Sequence, residues 1–206
     1  MAKVQKFYAV RKGSVPGIYL SWDECKQSVD GFPGAEYKSF SSEEEAQAYM
    51  NGGVKFIIPE ITDRDTAVAY TDGSFNAETN RPGYGAIIIT QDKEYIISGI
   101  AKMNNAYHVT LRQITGEVVA VLKVLDFCKE HGIKKISICY DYAGLEYWAN
   151  GTWKANNPVS QEYQQILQST DIEVNFIKIP AHTNNYYNHQ ADKAARIGCG
   201  IIRADD

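Results

Sequence analysis

Two patterns of apolar and polar positions divide the chain. Over the first 50 residues the apolar runs are short and broken by turn residues. "FYAVRK", rich in aromatic and branched side chains and stopped by Gly13, predicts a strand. "GIYL" predicts a second strand after the turn at "SVPG". "SWDECKQSVDGFPG" predicts a helix, with Ser21 as N-cap and Glu24 at N3 forming a capping box and Gly31, Pro33 and Gly34 ending it. "AEYKSF" predicts a third strand. "SSEEEAQAYM" predicts a second helix, with Ser42 and Glu45 as another capping box. Its acidic first turn lies where the helix dipole favours negative charge. Phe7, Phe32 and Phe40 read as core residues of this small unit.

Asn51, Gly52 and Gly53 break that helix, and 59–65 are polar and turn-rich, so residues 51–65 read as a linker. From Ala67 the pattern changes. "TAVAYTDGSF", "YGAIIITQ" and "EYIISGIA" predict three consecutive strands, the last two joined at "QDK". A long helix follows in "LRQITGEVVAVLKVLDFCKEHG", then strands in "KKISICY" and "DIEVNFIKI". Helices in "AGLEYWANG", "NPVSQEYQQILQS" and "NNYYNHQADKAARIG" alternate with them. Three antiparallel strands followed by alternating helix and strand predict an α/β fold, a mixed five-stranded sheet with helices on its faces, over residues 66–206. Residues 1–50 predict a separate small α+β domain.

Composition changes this picture little. The chain has 206 residues, 44% apolar and 22% charged, ordinary values for a globular protein of one or two domains. No apolar run is long enough to span a membrane or to act as a signal peptide, so a cytoplasmic protein with no membrane partner is expected. Cys25, Cys128, Cys139 and Cys199 have no metal or redox spacing and read as reduced, mostly buried thiols. The net charge of −4 argues against nucleic acid, but its distribution weakens the objection. Residues 1–40 carry six basic side chains against four acidic ones, and the excess of acid lies in the remainder.

Four carboxylates stand where the pattern calls for apolar side chains. In the long helix the apolar stripe is Ile114, Val118, Val121, Leu122 and Leu125, and Glu117 sits inside it. A charge on a buried face is costly unless it is paired or bound to metal. Asp72 and Asp141 close apolar strands, and Asp192 lies among Ala191, Ala194 and Ala195. Each alone reads as a turn former or surface charge. Together, on one edge of an α/β sheet, they converge where such folds bind ligands. Grouped carboxylates repel and hold raised pKa values unless a cation is bound. Oxygen-only ligands suit two Mg2+ ions, or Mn2+. Two such ions about 3.5–4 Å apart serve phosphodiester hydrolysis. Gly73 and Ser74 would leave room for a phosphate backbone.

"YTDGSF", "TGEVVAVLKVL", "CYDY" and "HTNNYYNHQADKAA" resemble, in order, context and spacing, the Asp–Glu–Asp–Asp motifs of type 1 ribonuclease H. The resemblance implies a ribonuclease H-like fold and cleavage of the RNA strand of an RNA–DNA hybrid, leaving 5′-phosphate and 3′-hydroxyl ends. It makes Asp72, Glu117, Asp141 and Asp192 catalytic ligands of two Mg2+ ions. It makes His182, ten residues before Asp192, a mobile catalytic histidine that assists proton transfer or product release. Gly73, Ser74, Gln113 and Asn188 fall on its nucleic-acid-binding positions. Gln113 stands where many relatives have asparagine; it is also an amide, of longer reach.

Phe7 to Met50 is similar to the hybrid-binding domain found at the N-terminus of many ribonucleases H. That similarity places Trp22 and Tyr37 on the sugars of the DNA strand and Tyr8, Arg11, Lys12 and Lys38 on the binding side. Ser39 departs from relatives that carry a second basic residue there. The physical logic agrees, since basic groups supply the phosphate attraction and aromatics pack against exposed sugars or bases. The expected partner is an RNA–DNA hybrid, with no obligate protein partner. Two alternatives remain open: a non-catalytic hybrid-binding protein, and another nuclease or resolvase of the same fold superfamily.

Overall fold

The computed structural model describes residues 6–50, 60–103, 109–179 and 185–203. Two compact units make up the chain. In the first, β1 (Phe7–Lys12), β2 (Gly17–Tyr19) and β3 (Glu36–Phe40) form an antiparallel sheet in the order β2-β1-β3, with α1 (Trp22–Val29) and α2 (Glu43–Met50) on opposite faces. Alternation along β1 builds both halves of this core. Val10 packs on Cys25 and Val29 of α1, while Ala9 packs on Ala46 and Met50 of α2. The α1 capping box forms as the sequence predicts. At α2 the Glu45 N–H donates to Ser42 Oγ at 3.3 Å, and the Glu45 carboxylate takes the hydroxyl of Ser41, also at 3.3 Å. Phe7 and Phe40 join the core, but Phe32 is 38% exposed, contrary to expectation, because it follows the left-handed Gly31 in the turn after α1.

The second unit contains β4 (Thr66–Asn76), β5 (Arg81–Ile89), β6 (Glu94–Ile100), α3 (Gln113–His131), β7 (Lys135–Tyr140), α4 (Gly144–Ala149), α5 (Pro158–Ser169), β8 (Glu173–Lys178) and, from Gln190 on, α6 (Tyr186–Gly198). The sheet order is β6-β5-β4-β7-β8; β4, β5 and β6 run antiparallel, and β4, β7 and β8 run parallel. This is the mixed five-stranded sheet the pattern predicts. Gly132, in the left-handed conformation, ends α3. All four cysteines are buried and free. Among the described residues no helix is long and apolar enough to cross a membrane.

Two details of the expectation change. Asp72 does not end its strand. β4 continues to Asn76 because β5 supplies partners along its whole length, from Val68↔Ile89 to Asn76↔Arg81. Pairing with β7 stops at Tyr70↔Cys139, so Asp72 lies on the part of β4 that projects past its parallel neighbour. The buried face of α3 is also wider than a single stripe. Thr115 to Val121 are all buried, together with Val124 and Leu125, whereas Ile114 and Leu122 are only partly so. The helix is enclosed by the sheet on one side and α5 on another.

The glycines at β4 and β5 set how closely the helices approach. A Cβ on Gly73 would lie 2.3 Å from both the Gln113 carbonyl oxygen and the Glu117 nitrogen, and one on Gly116 would lie 2.1 Å from the Gly83 carbonyl oxygen. The space beside Gly73 is therefore filled by α3 and is not open for a phosphate backbone. On the other face, a Cβ on Gly85 would meet the Ala195 nitrogen of α6 at 2.3 Å. Gly73→Ala should accordingly lower stability by about 1–3 kcal/mol through overpacking, although alanine is ordinarily the better strand residue. Denaturant unfolding measures this; an alanine variant as stable as the parent would contradict the close approach.

Candidate active site and nucleic-acid interface

The pairing of β4 with β7 ends at Tyr70↔Cys139 and β7 itself ends one residue later at Tyr140, which leaves a notch at the sheet's centre beside Asp72. Four elements deliver carboxylates toward it. Asp72 comes from the projecting part of β4, and Asp141 is the first residue after β7. Glu117 comes from the first half of α3, on one face of the sheet, and Asp192 from α6, on the other. The Asp72 and Glu117 carboxyls lie close enough to act on each other, and Asp141 and Asp192 are near enough for their charges to act on Asp72. The Gly73 N–H donates to Asp72 Oδ1 at 2.7 Å. Asp192 also faces Arg196 one turn on, at 3.9 Å.

Burial, then the charges of Asp141 and Asp192, push Asp72 up from an ordinary value of 3.8 to about 7. Burial and the charge of Asp72 hold Glu117 well above the usual carboxylate range. Glu117 is 4% exposed, and its Oε2 has no hydrogen-bond partner among the described residues. Among those residues, no three His, Cys, Asp or Glu side chains are grouped so as to hold a metal ion by themselves. The donor set is nevertheless all carboxylate, strained by mutual repulsion and short of positive charge. That suits a hard cation completing its shell with water and substrate oxygen.

The other expected residues are placed as follows. Gln113 is exposed at the first turn of α3 and follows Arg112, which has a positive φ of 47°. Asn188 is buried one turn before Asp192, its N–H bonded to Asn185 Oδ1 at 3.1 Å. Ser74 is half-buried in β4. His182 lies outside the described residues, as do residues 51–59 of the expected linker.

In the first unit, Trp22 stands between Tyr8 and Tyr37, with ring centroids 5.8 and 5.9 Å away. Trp22 and Tyr37 are 42% and 46% exposed, which excludes core packing as the whole reason for this row of rings. Lys38 and Arg11 lie on the α2 side of the sheet instead, Lys38 over the ring of Phe40 and Arg11 over Tyr49. The sequence reading missed Glu36. It bonds Arg11 at 2.6 and 2.9 Å and Lys12 at 3.2 Å, and hydrogen bonding to Arg11 pulls its pKa down. A bulge between Val10 and Lys12 brings Lys12 into register with Glu36, which no spacing in the sequence announces.

A sheet in the order β6-β5-β4-β7-β8, with carboxylates gathered at its central strand, defines a ribonuclease H-like domain, here preceded by a small three-stranded unit. The model of the ribonuclease H1 N-terminal domain matches residues 6–50, and the RNase H model matches residues 64–200. The chain belongs to the ribonuclease H family. The ribonuclease H1 of Homo sapiens is 23% identical over 263 residues, covering 93% of this chain and 88% of that one. The ribonuclease H of Saccharomyces cerevisiae is 54% identical over 50 residues, 24% of this chain and 14% of that one. The solved RNase H1 of Halobacterium salinarum shares the fold, with a TM-score of 0.51 at 20% identity, covering 66% of this chain and 99% of that one.

The raised carboxylates give a pH dependence with a definite sign. A raised pKa means that the folded state holds the Asp72 proton more tightly than the unfolded chain does. Metal-free protein should therefore lose stability as pH rises from about 4 to about 7, the window between the ordinary and the folded pKa of Asp72. Asp72→Asn should remove much of that loss, gaining stability over the parent at pH 8 and much less at pH 4. Thermal unfolding in EDTA across this range checks it. A gain that is equal at both pH values would refute the assignment.

Proposed function

We propose that the chain hydrolyses the RNA strand of RNA–DNA hybrids with two divalent ions, Mg2+ in the first instance, giving 5′-phosphate and 3′-hydroxyl ends. The observation that carries the reading is the pair of half-buried Asp72 and buried Glu117 within reach of Asp141 and Asp192. The family membership of the chain, and the name ribonuclease H borne by its relatives, give the substrate class. Asp72, Glu117, Asp141 and Asp192 would hold the ions, which supply an activated water and neutralise charge at the reacting phosphate.

The chain's own part is positioning and electrostatics. The rigid central strand and the tightly seated α3 hold Asp72 and Glu117 at the notch. Repulsion and desolvation are what keep protons on these carboxyls, so they would give those protons up on holding a cation. Gln113 and Asn188 are amides suited to contact sugar hydroxyls and phosphates near the cut. His182 would serve proton transfer or product departure.

Residues 1–50 would form the hybrid-holding domain, 51–65 the linker and 66–206 the catalytic domain. Support comes from the row of half-buried Tyr8 with exposed Trp22 and Tyr37, a surface on which sugars can pack. Lys38 would add phosphate attraction, and Lys12, which also bonds Glu36 at 3.2 Å, would add less. Arg11, tied to Glu36, would add less than a free cation.

The central test incubates the protein with a labelled hybrid, double-stranded RNA and double-stranded DNA, in Mg2+ and in EDTA. Hybrid-only, metal-dependent cutting is expected; equal cutting of all three sinks the reading, and binding without cutting favours a hybrid-binding protein. Glu117→Gln should abolish cleavage while leaving hybrid binding largely intact, and activity within about tenfold of the parent would contradict the role. Trp22→Ala should weaken hybrid binding by about 1–3 kcal/mol, by analogy with base stacking. Its salt dependence should be nearly unchanged, because no charge is removed. Titrations in Ca2+ at several salt concentrations measure this, and parent-like affinity would return Trp22 to a packing role.

A further inference from the structure

Glu117 Oε2 is not the only buried polar atom left unpaired beneath the site. The Tyr163 hydroxyl and Thr71 Oγ1 also have no hydrogen-bond partner among the described residues. Tyr163 is fully buried and Thr71 is 1% exposed. The three groups come from three elements, α3, α5 and β4, and α3 packs against the other two. Thr71 alternates with Gly73 on the face of β4 that α3 covers, and Gly73 abuts the Glu117 backbone. Tyr140 follows Cys139, the partner of Tyr70, and so lies beside Thr71. The Tyr163 phenol is acted on by both Tyr140 and Glu117. Tyr140 itself is committed elsewhere, donating its hydroxyl to Glu146.

Leaving one such group unsatisfied costs about 1–3 kcal/mol, and α3 packs on both β4 and α5, the elements that carry the other two. An internal water typically makes about three hydrogen bonds to groups of this kind. We propose that Tyr163 is a positioning residue for Glu117, acting through one internal water shared by Tyr163 Oη, Thr71 Oγ1 and Glu117 Oε2. The water accepts from the Tyr163 hydroxyl and donates to Thr71 Oγ1 and Glu117 Oε2. That fixes the carboxylate plane and turns the other Glu117 oxygen toward Asp72. The inference rests on the reading above that Glu117 holds a metal ion. It assigns α5, which contributes none of the four carboxylates, a part in the site.

Tyr163→Phe, Thr71→Val, their double variant and Glu117→Gln provide the test. Mn2+ binding to the full chain without nucleic acid is followed by the electron paramagnetic resonance of free Mn2+. The Mg2+ concentration for half-maximal hybrid cleavage and thermal unfolding in EDTA are recorded alongside. Both single changes should weaken Mn2+ binding and raise the Mg2+ midpoint by roughly 10- to 100-fold, the usual effect of removing an outer partner of a metal ligand. The double variant should be little worse than the poorer single, because one water serves both groups. Unchanged metal binding in folded single variants overturns the proposal, as does a lowered unfolding temperature alone, which would leave Tyr163 a packing residue. Effects that multiply in the double variant overturn the shared water. Should Tyr163→Phe fail to fold, Thr71→Val decides by the same criteria. Equal Mn2+ binding by the parent and Glu117→Gln would instead sink the metal-ligand reading, and this inference with it.

Discussion

Seating the Glu117 carboxyl out of water, against Asp72, is the constraint around which the larger unit is organised. Two like groups in a low-dielectric site do not stay together by attraction; the backbone must hold them there. The close seating of α3 does this. Gly73 and Gly116 let helix and sheet meet main chain to main chain, and the apolar residues around Glu117 bury the rest of that first half-helix. The same closeness raises both carboxyls, since the water that would stabilise their charges is excluded. A site built this way is poised for a cation.

The notch depends on an unequal pairing of strands. β4 is eleven residues long and keeps its antiparallel partner to the end, whereas its pairing with β7 stops at Tyr70 and β7 ends one residue later. Groups from both faces of the sheet can meet only where a strand is missing. Asp192 from α6 and Glu117 from α3 therefore approach Asp72 from opposite sides, and Asp141 comes from the loop that leaves β7. The seating of α6 against Gly85 belongs to the same arrangement.

The small unit solves a different problem. With fifty residues it has little core to spare, yet it leaves Trp22 and Tyr37 substantially exposed beside Tyr8. The proposed hybrid-holding role accounts for that exposure. Glu36 tempers the positive charge near it by engaging Arg11 and Lys12. The row of rings and the cation–ring pairs of Arg11 and Lys38 lie on opposite faces of one thin sheet, so the unit presents two chemically distinct surfaces.

Much of this was legible in the residues before any coordinates. Strand and helix periods, the Ser21 capping box and the Gly132 stop are local, governed by backbone preference and by which side chains can bond their own neighbours, so they read directly. The four carboxylates were legible as misfits, because a charge in an apolar pattern is anomalous wherever the chain folds. What interrupts or completes a local pattern from far away was not legible. The continuation of β4 past Asp72 depends on β5, the all-round burial of early α3 on α5, the filled space at Gly73 on a helix some forty residues later, and the Lys12–Glu36 pairing on a bulge. The raised state of Asp72 and the unpaired oxygens of Glu117, Thr71 and Tyr163 are likewise products of tertiary structure. Desolvation acts on a group only once other parts of the chain have removed its water, and no sequence neighbour does that.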